Sequence, residues 1–292
     1  MGGFLVGENK TSTINSYNIL YKNLNTMSSN EKIQYYESLQ KAETSPTQMK
    51  YVLKNILEDN NINTDIKNNM FAFYLNHIQY YMTTYSNFIS LYESIIMNNR
   101  QTIDYTNINA SEAINDNVLK TIIKEIYNSD MRIAMPPPYS DGSPYVLIDY
   151  ENLEKEFGYI YNDATKQYIS FKQIAQNGGL SNDDGSYNKS KLENYLVLAS
   201  EFLRKYETYP LVSDIIYSYI LASKMYADIY DVYEDFYPDS NSISTYKQFI
   251  EKYPNEPITP ILNEIVKIYE SGDPVTYEQT VSWNSQLDAL LS

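Results

Sequence analysis

FLRKYETYPL, Phe202 to Leu211, returns 47 positions later as FIEKYPNEPI, Phe249 to Ile258. The two decapeptides align without a gap at Phe, Leu/Ile, Lys, Tyr, Pro and Leu/Ile. Each ends an apolar run of helical period in an aromatic residue and Lys-Tyr. Each then meets proline, which cannot continue a helix but suits a turn or the first position of the next helix. A period of this size is that of stacked helical hairpins, which bury their apolar faces only against neighbours. The expected fold class is therefore mainly α, built from antiparallel helical hairpins.

Working outward, helices are predicted from Asn188 onward. They are SKLENYLVLASEFLRKY, VSDIIYSYILASKMYADIYDVYEDF, SISTYKQFIEKY, ITPILNEIVKIYE and YEQTVSWNSQLDALL, with Pro210, Pro238, Pro254 and Pro257 between them. Residues 1–130 also read as helical. Ser28-Ser29-Asn30-Glu31 has capping-box spacing, and Ser45-Pro46 puts a cap before a first-turn proline. A stretch from Asp65 to Asn99 holds neither proline nor glycine, and a further helix is expected over Ala110–Tyr127. Residues 131–187 hold four of the 11 prolines and five of the 9 glycines. This middle segment reads as a small α+β insertion, with a short hairpin turning at Asn162–Thr165 and a short helix over Asp149–Phe157. The division is thus 1–130, 131–187 and 188–292, with the two helical parts also readable as one continuous domain.

The pair FIEKYPNEPITPILNEIVKIYESGDP and FLRKYETYPLVSDIIYSYILASKMYAD resembles the tetratricopeptide-like repeats of bacterial envelope lipoproteins, over about Asn194–Pro274. The departures are Glu207 in place of the first proline and Tyr269 where Ala222 supplies a small residue. The period is also longer than the usual ~34 residues. The resemblance implies a concave surface for a protein or peptide partner and carries over no site residues.

Composition narrows the function. With 37 acidic and 22 basic residues the net charge is −15, and no basic track is present to displace counterions from nucleic acid. An anionic membrane surface would repel the fold equally. Without cysteine there is no disulfide scaffold or thiolate site. Tyr219, Tyr226, Tyr230, Tyr233 and Tyr237 are spaced along one face of a predicted helix, as a packing seam or as the lining of a groove.

His77, the single histidine, has no second ligand of zinc type and falls on an apolar face. Asn182-Asp183-Asp184-Gly185 fails as an EF-hand, because Lys191 would stand where the bidentate glutamate belongs. Asp149, Glu151, Glu154 and Glu156 are carboxylates of the kind a glycosidase pairs, or one solvated face. No cofactor or metal is expected.

No run is long enough to span a bilayer, and Val6 stands where a myristoylation signal requires Ser or Thr. The polar segment from Glu8 to Ser16 suits a tether behind an upstream leader. An extracytoplasmic place at a bacterial surface or envelope is the expectation, with the cytoplasm as alternative and membrane attachment only through such a leader. The leading functional reading is a noncatalytic binding or scaffolding domain for a protein or peptide partner, favouring a basic one. A glycan or small-solute binder with a tyrosine-lined cleft is the alternative, and a carboxylate hydrolase comes third.

Overall fold

Ser28 and Glu31 satisfy each other's backbone amides, Ser28 N–H donating to Glu31 Oε2 (2.7 Å) and Glu31 N–H to Ser28 Oγ (3.4 Å). This is the expected capping box, and it starts helix α1 (Ser29–Gln40). The computed structural model describes residues 24–40, 44–101, 104–105, 108–136, 142–178, 180–182 and 186–291. They are mainly α-helical with one two-stranded antiparallel sheet, and the chain divides into two compact units, Met1–Asn162 and Asp163–Ser292.

In the first unit, α2 (Pro46–Glu58) starts at the Ser45 cap with proline in the first turn, as the sequence indicates. Its C-terminal Asp59 accepts from Lys32 Nζ (2.9 Å) and Ser29 Oγ (3.1 Å), tying the start of α1 to the end of α2. Helix α3 (Thr64–Leu91) is capped by Asn63. The single run expected to Asn99 breaks at Tyr92, whose non-helical backbone (φ −107°, ψ 12°) separates α4 (Glu93–Asn99). The helix expected from Ala110 is also split. A 3-10 turn (Ile108–Ala113) precedes α5 (Asn117–Asn128), because Asp116 takes the amides of Val118 and Leu119 (2.9 Å each) and begins a new helix.

Strands β1 (Met131–Ala134) and β2 (Tyr145–Ile148) pair antiparallel with Met131 opposite Ile148. Their buried residues Met131, Ile133 and Val146 join Ile89, Ile96, Leu119, Ile123 and Ile126 in one apolar core. The helix expected near Asp149–Phe157 forms as α6 (Tyr150–Phe157), capped by Asp149. The hairpin expected around Asn162–Thr165 does not form. Asp163–Gln176 is instead α7, the first helix of the second unit, and it buries Thr165, Tyr168, Ile169 and Phe171. The apolar residues there serve helical burial as well as alternation, and the two periods cannot be separated over so few positions.

The rest of the second unit comprises α8 (Lys189–Lys205), α9 (Val212–Tyr226), α10 (Ser240–Lys252), α11 (Thr259–Ser271) and α12 (Tyr277–Asp288). Helix α8 packs on α9, and α10 on α11. The two decapeptides close α8 and α10, and they match position by position in which residues are buried, half-buried and exposed. Tyr206 N–H bonds Phe202 O (2.8 Å), as Tyr253 N–H bonds Phe249 O (2.7 Å). The paired rings lie 5.0 Å apart in both copies, and Lys205 and Lys252 cover the tyrosines at 4.9 and 4.8 Å.

Each copy rests on an earlier helix. Phe202 meets Phe171 of α7 edge-on (5.7 Å), and Phe249 meets Tyr226 of α9 (5.0 Å). Equivalent turn residues reach back too. Tyr209 OH bonds Thr165 Oγ1 (3.0 Å), while the buried Glu256 accepts from Arg204 (3.3 Å) and Tyr219 OH (3.4 Å).

Trp283, the single tryptophan, is buried in this unit and donates to Glu264 (2.6 Å), so its fluorescence reports the unit's unfolding. Phe202→Ala and Phe249→Ala each remove a fully enclosed ring. Each is expected to cost about 3–5 kcal/mol in urea unfolding followed at Trp283. In the first unit, the Lys32 hydrogen bond chiefly holds Asp59 down at about 2. Its stabilising contribution is present above the ordinary carboxylate value and is lost as pH falls through about 2. A carboxyl-detected NMR titration is expected to find that value, and Lys32→Met to raise it.

Candidate functional site: the tyrosine and acid loop

Helix α9 stops at Tyr226 although the sequence keeps its helical spacing to Phe236. Asp228 takes the left-handed conformation (φ 56°), a backbone that aspartate tolerates better than most residues. The chain then turns back on the helix end. Asp228 N–H reaches Met225 O (3.4 Å) and Ile229 N–H reaches Lys224 O (3.0 Å), the bonding pattern usual where a glycine ends a helix. Gly272 ends α11 in that usual way (φ 79°).

A lysine makes the aspartate version possible. Lys189, in the first turn of α8, donates to Tyr226 O (2.5 Å) and Met225 O (3.3 Å) and pairs with Asp228 Oδ1 (2.5 Å). A cation there answers both the free carbonyls and the negative end of the helix dipole. The rings of Tyr226 and Tyr246 cover the ammonium at 5.5 and 5.4 Å. Burial pulls Lys189 below the ordinary lysine value against the opposing pull of Asp228. Tyr246 OH donates to Asp228 Oδ2 (2.6 Å), and burial pushes that hydroxyl well up, so it stays a neutral donor. Ser242 Oγ lies between Asp228 Oδ2 (3.0 Å) and the α10 cap Asp239 (2.7 Å).

Residues 227–239 leave this clasp as an ordered loop. Phe236 and Val275 exchange backbone bonds (3.0 and 2.8 Å), Asp235 accepts from Tyr277 N–H (2.8 Å), and Asn284 donates to Ile229 O (3.3 Å). On this frame Tyr230, Tyr233 and Tyr237 are 36%, 79% and 70% exposed, and Tyr187 meets Tyr230 edge-on (6.5 Å). Between them stand the exposed carboxylates of Asp231, Glu234 and Asp235. Among the described residues, Asp231 and Glu234 belong to no salt bridge.

The five-tyrosine stripe therefore does not form a single helical face. Tyr219 and Tyr226 lie on α9 with 1% and 0% exposure and pack into the core, while Tyr230, Tyr233 and Tyr237 follow the helix end. Lys189 and Asp228, which divide the stripe, carry no local signal, since their partners lie far apart in the chain.

The first unit ends α5 in the same manner. Asp130 (φ 54°) follows the helix, and its fully buried carboxylate accepts from Lys50 (2.8 Å), Tyr74 OH (2.7 Å) and Asn152 (2.8 Å). Lys50 also reaches Asn128 O (3.4 Å) at the helix end, pairs with Glu156 (2.5 Å) and lies over Phe157 (5.8 Å). Asn152 and Ser242 hold the same place, three residues after the caps Asp149 and Asp239 of the next helix.

Of the other candidates, His77 is half-buried, bonds Thr44 O (2.7 Å) and tilts against Tyr81 (4.9 Å), and burial lowers its pKa. Asp149 is a helix cap and Glu156 a lysine partner, whereas Glu151 and Glu154 are exposed. Asn182 bonds Ser186, and Asp183, Asp184 and Gly185 lie outside the described residues. Among the described residues no three His, Cys, Asp or Glu side chains are placed to hold a metal ion, and no helix is long and apolar enough to cross a membrane. Comparison with protein-family models, curated proteins and solved structures finds no match.

Asp228→Asn keeps a residue that accepts left-handed backbone but removes the charge. It is expected to cost about 1–3 kcal/mol in urea unfolding at Trp283. Asp228→Ala is expected to cost at least about 1 kcal/mol more, because alanine adds backbone strain.

Proposed function

We propose that the second unit is a noncatalytic binding module whose 227–239 loop receives a basic segment of a protein or peptide partner. The observation that carries this reading is the exposure of Tyr233 and Tyr237 on a loop held at both ends by hydrogen bonds. Tyrosine offers a large, stiff, amphipathic contact, and a loop already ordered loses little freedom on binding. Exposed Asp231 and Glu234, without a lysine or arginine of their own among the described residues, favour a cationic partner. The clasp supplies an internal precedent, since Lys189 is itself held by two tyrosine rings and a carboxylate.

The matching ends of α8 and α10 support reading these hairpins as a tetratricopeptide-like stack that presents the loop. Placement at a bacterial surface or envelope belongs to the same proposal.

Binding of the full chain to a library of lysine- and arginine-rich peptides tests the reading. Tyr233→Ala or Tyr237→Ala is expected to weaken the best binder by about 2 kcal/mol, roughly 30-fold, with Trp283 unfolding unchanged. Neutralising Asp231 and Glu234 is expected to slow association and flatten its salt dependence. Peptides that do not bind while oligosaccharides stabilise the fold would replace this reading with the glycan one.

A further inference from the structure

Asp130, Lys50 and Glu156 in the first unit form more than a single ion pair. The Lys50 amine touches two carboxylates at once, Asp130 Oδ1 at 2.8 Å and Glu156 Oε2 at 2.5 Å. Asp130 is fully buried, and each of its oxygens also accepts from a neutral donor, Tyr74 OH on Oδ2 and Asn152 Nδ2 on Oδ1. Glu156 bonds the amine and, unlike Asp130, keeps partial exposure to water. One enclosed group thus holds an amine, a carboxyl carbon polarised by two donors, and a second carboxylate placed to move protons.

We propose that Lys50 and Asp130 join in an intramolecular isopeptide bond, with Glu156 as the proton carrier. The step needs no oxidant and no co-reactant. An ammonium proton passes along the 2.8 Å bond to Asp130, giving a neutral amine beside a neutral carboxylic acid. At rest, the two carboxylates outweigh burial and keep Lys50 above the ordinary lysine value. Burial raises the Asp130 carboxyl, which favours the neutral pair.

The Nζ lone pair then attacks Asp130 Cγ, Tyr74 OH holds the charge that develops on Oδ2, and Asn152 Nδ2 stays on Oδ1, the oxygen that leaves. Glu156 takes a second proton from nitrogen and delivers it to the departing hydroxyl. One C–N bond forms and one C–O bond breaks, one water leaves, and Glu156 returns to its starting state. Proximity supplies much of the rate, since the reacting groups are already in hydrogen-bond contact.

The second unit provides an internal comparison. Lys189 pairs with Asp228 at 2.5 Å but, among the described residues, has no second carboxylate in ion-pair contact, and Asp228 is partly exposed. The expected loss is therefore one water per chain.

Intact-mass spectrometry of the full-length protein tests this, with Lys50→Met and Glu156→Gln chains prepared in parallel. The wild type is expected one water lighter than its sequence, with both variants at their sequence masses. A tryptic digest is expected to yield a branched peptide joining Lys50 to Asp130. A wild-type chain at full sequence mass overturns the proposal, as does a lost water that maps to Lys50–Glu156 or to any other pair. The wild-type mass is decisive by itself, so the test stands even where a variant fails to fold.

Discussion

A helix that ends inside a protein leaves carbonyls without donors and a partial negative charge at its tip. In both units an aspartate in left-handed conformation follows that tip, and in the second unit Asp228 adds a full negative charge to it. The arrangement holds because one lysine meets the helix-end carbonyl and the carboxylate together, beneath aromatic rings. Deleting one member of such a buried pair leaves the other charge uncompensated, which typically costs about 3–5 kcal/mol where burial is complete. The clasp also directs the chain that follows. Asp130 O accepts from Asp149 N–H (2.7 Å), joining the far ends of the strand pair to the helix end. Asp228 turns the chain into the tyrosine loop rather than another turn of helix.

Local patterns carry most of the secondary structure into view. The Ser28 and Ser45 caps, the short helix before Phe157 and the matched ends of α8 and α10 follow from side chains acting on their own backbone or one helical turn away. What stays hidden depends on distant partners. Nothing near Tyr226 says that Lys189 takes its carbonyl, so the tyrosine spacing reads as a longer helix. The hairpin at Asn162–Thr165 fails for a related reason, since burial of Tyr168 and Phe171 against aromatic neighbours favours the helix. The strands lie at Met131–Ala134 and Tyr145–Ile148, where alternation is clear only once the partner strand supplies the opposite row.

The same division applies to the candidate site. Tyr230, Tyr233 and Tyr237 are visible in the sequence as tyrosines beside acids, but their exposure is a consequence of the helix ending early. Tyr219 and Tyr226, identical to them in the spacing argument, are core residues that support the next hairpin. One lysine thus separates the packing tyrosines from the exposed ones.

Amide hydrogen exchange in Lys189→Met, set against the wild type, tests that role most directly. Loss of protection at Asp228, Ile229 and Phe236, with protection in α11 retained, is the predicted result. Unchanged protection across residues 228–236 would contradict the account, because the loop would then hold its course without the lysine.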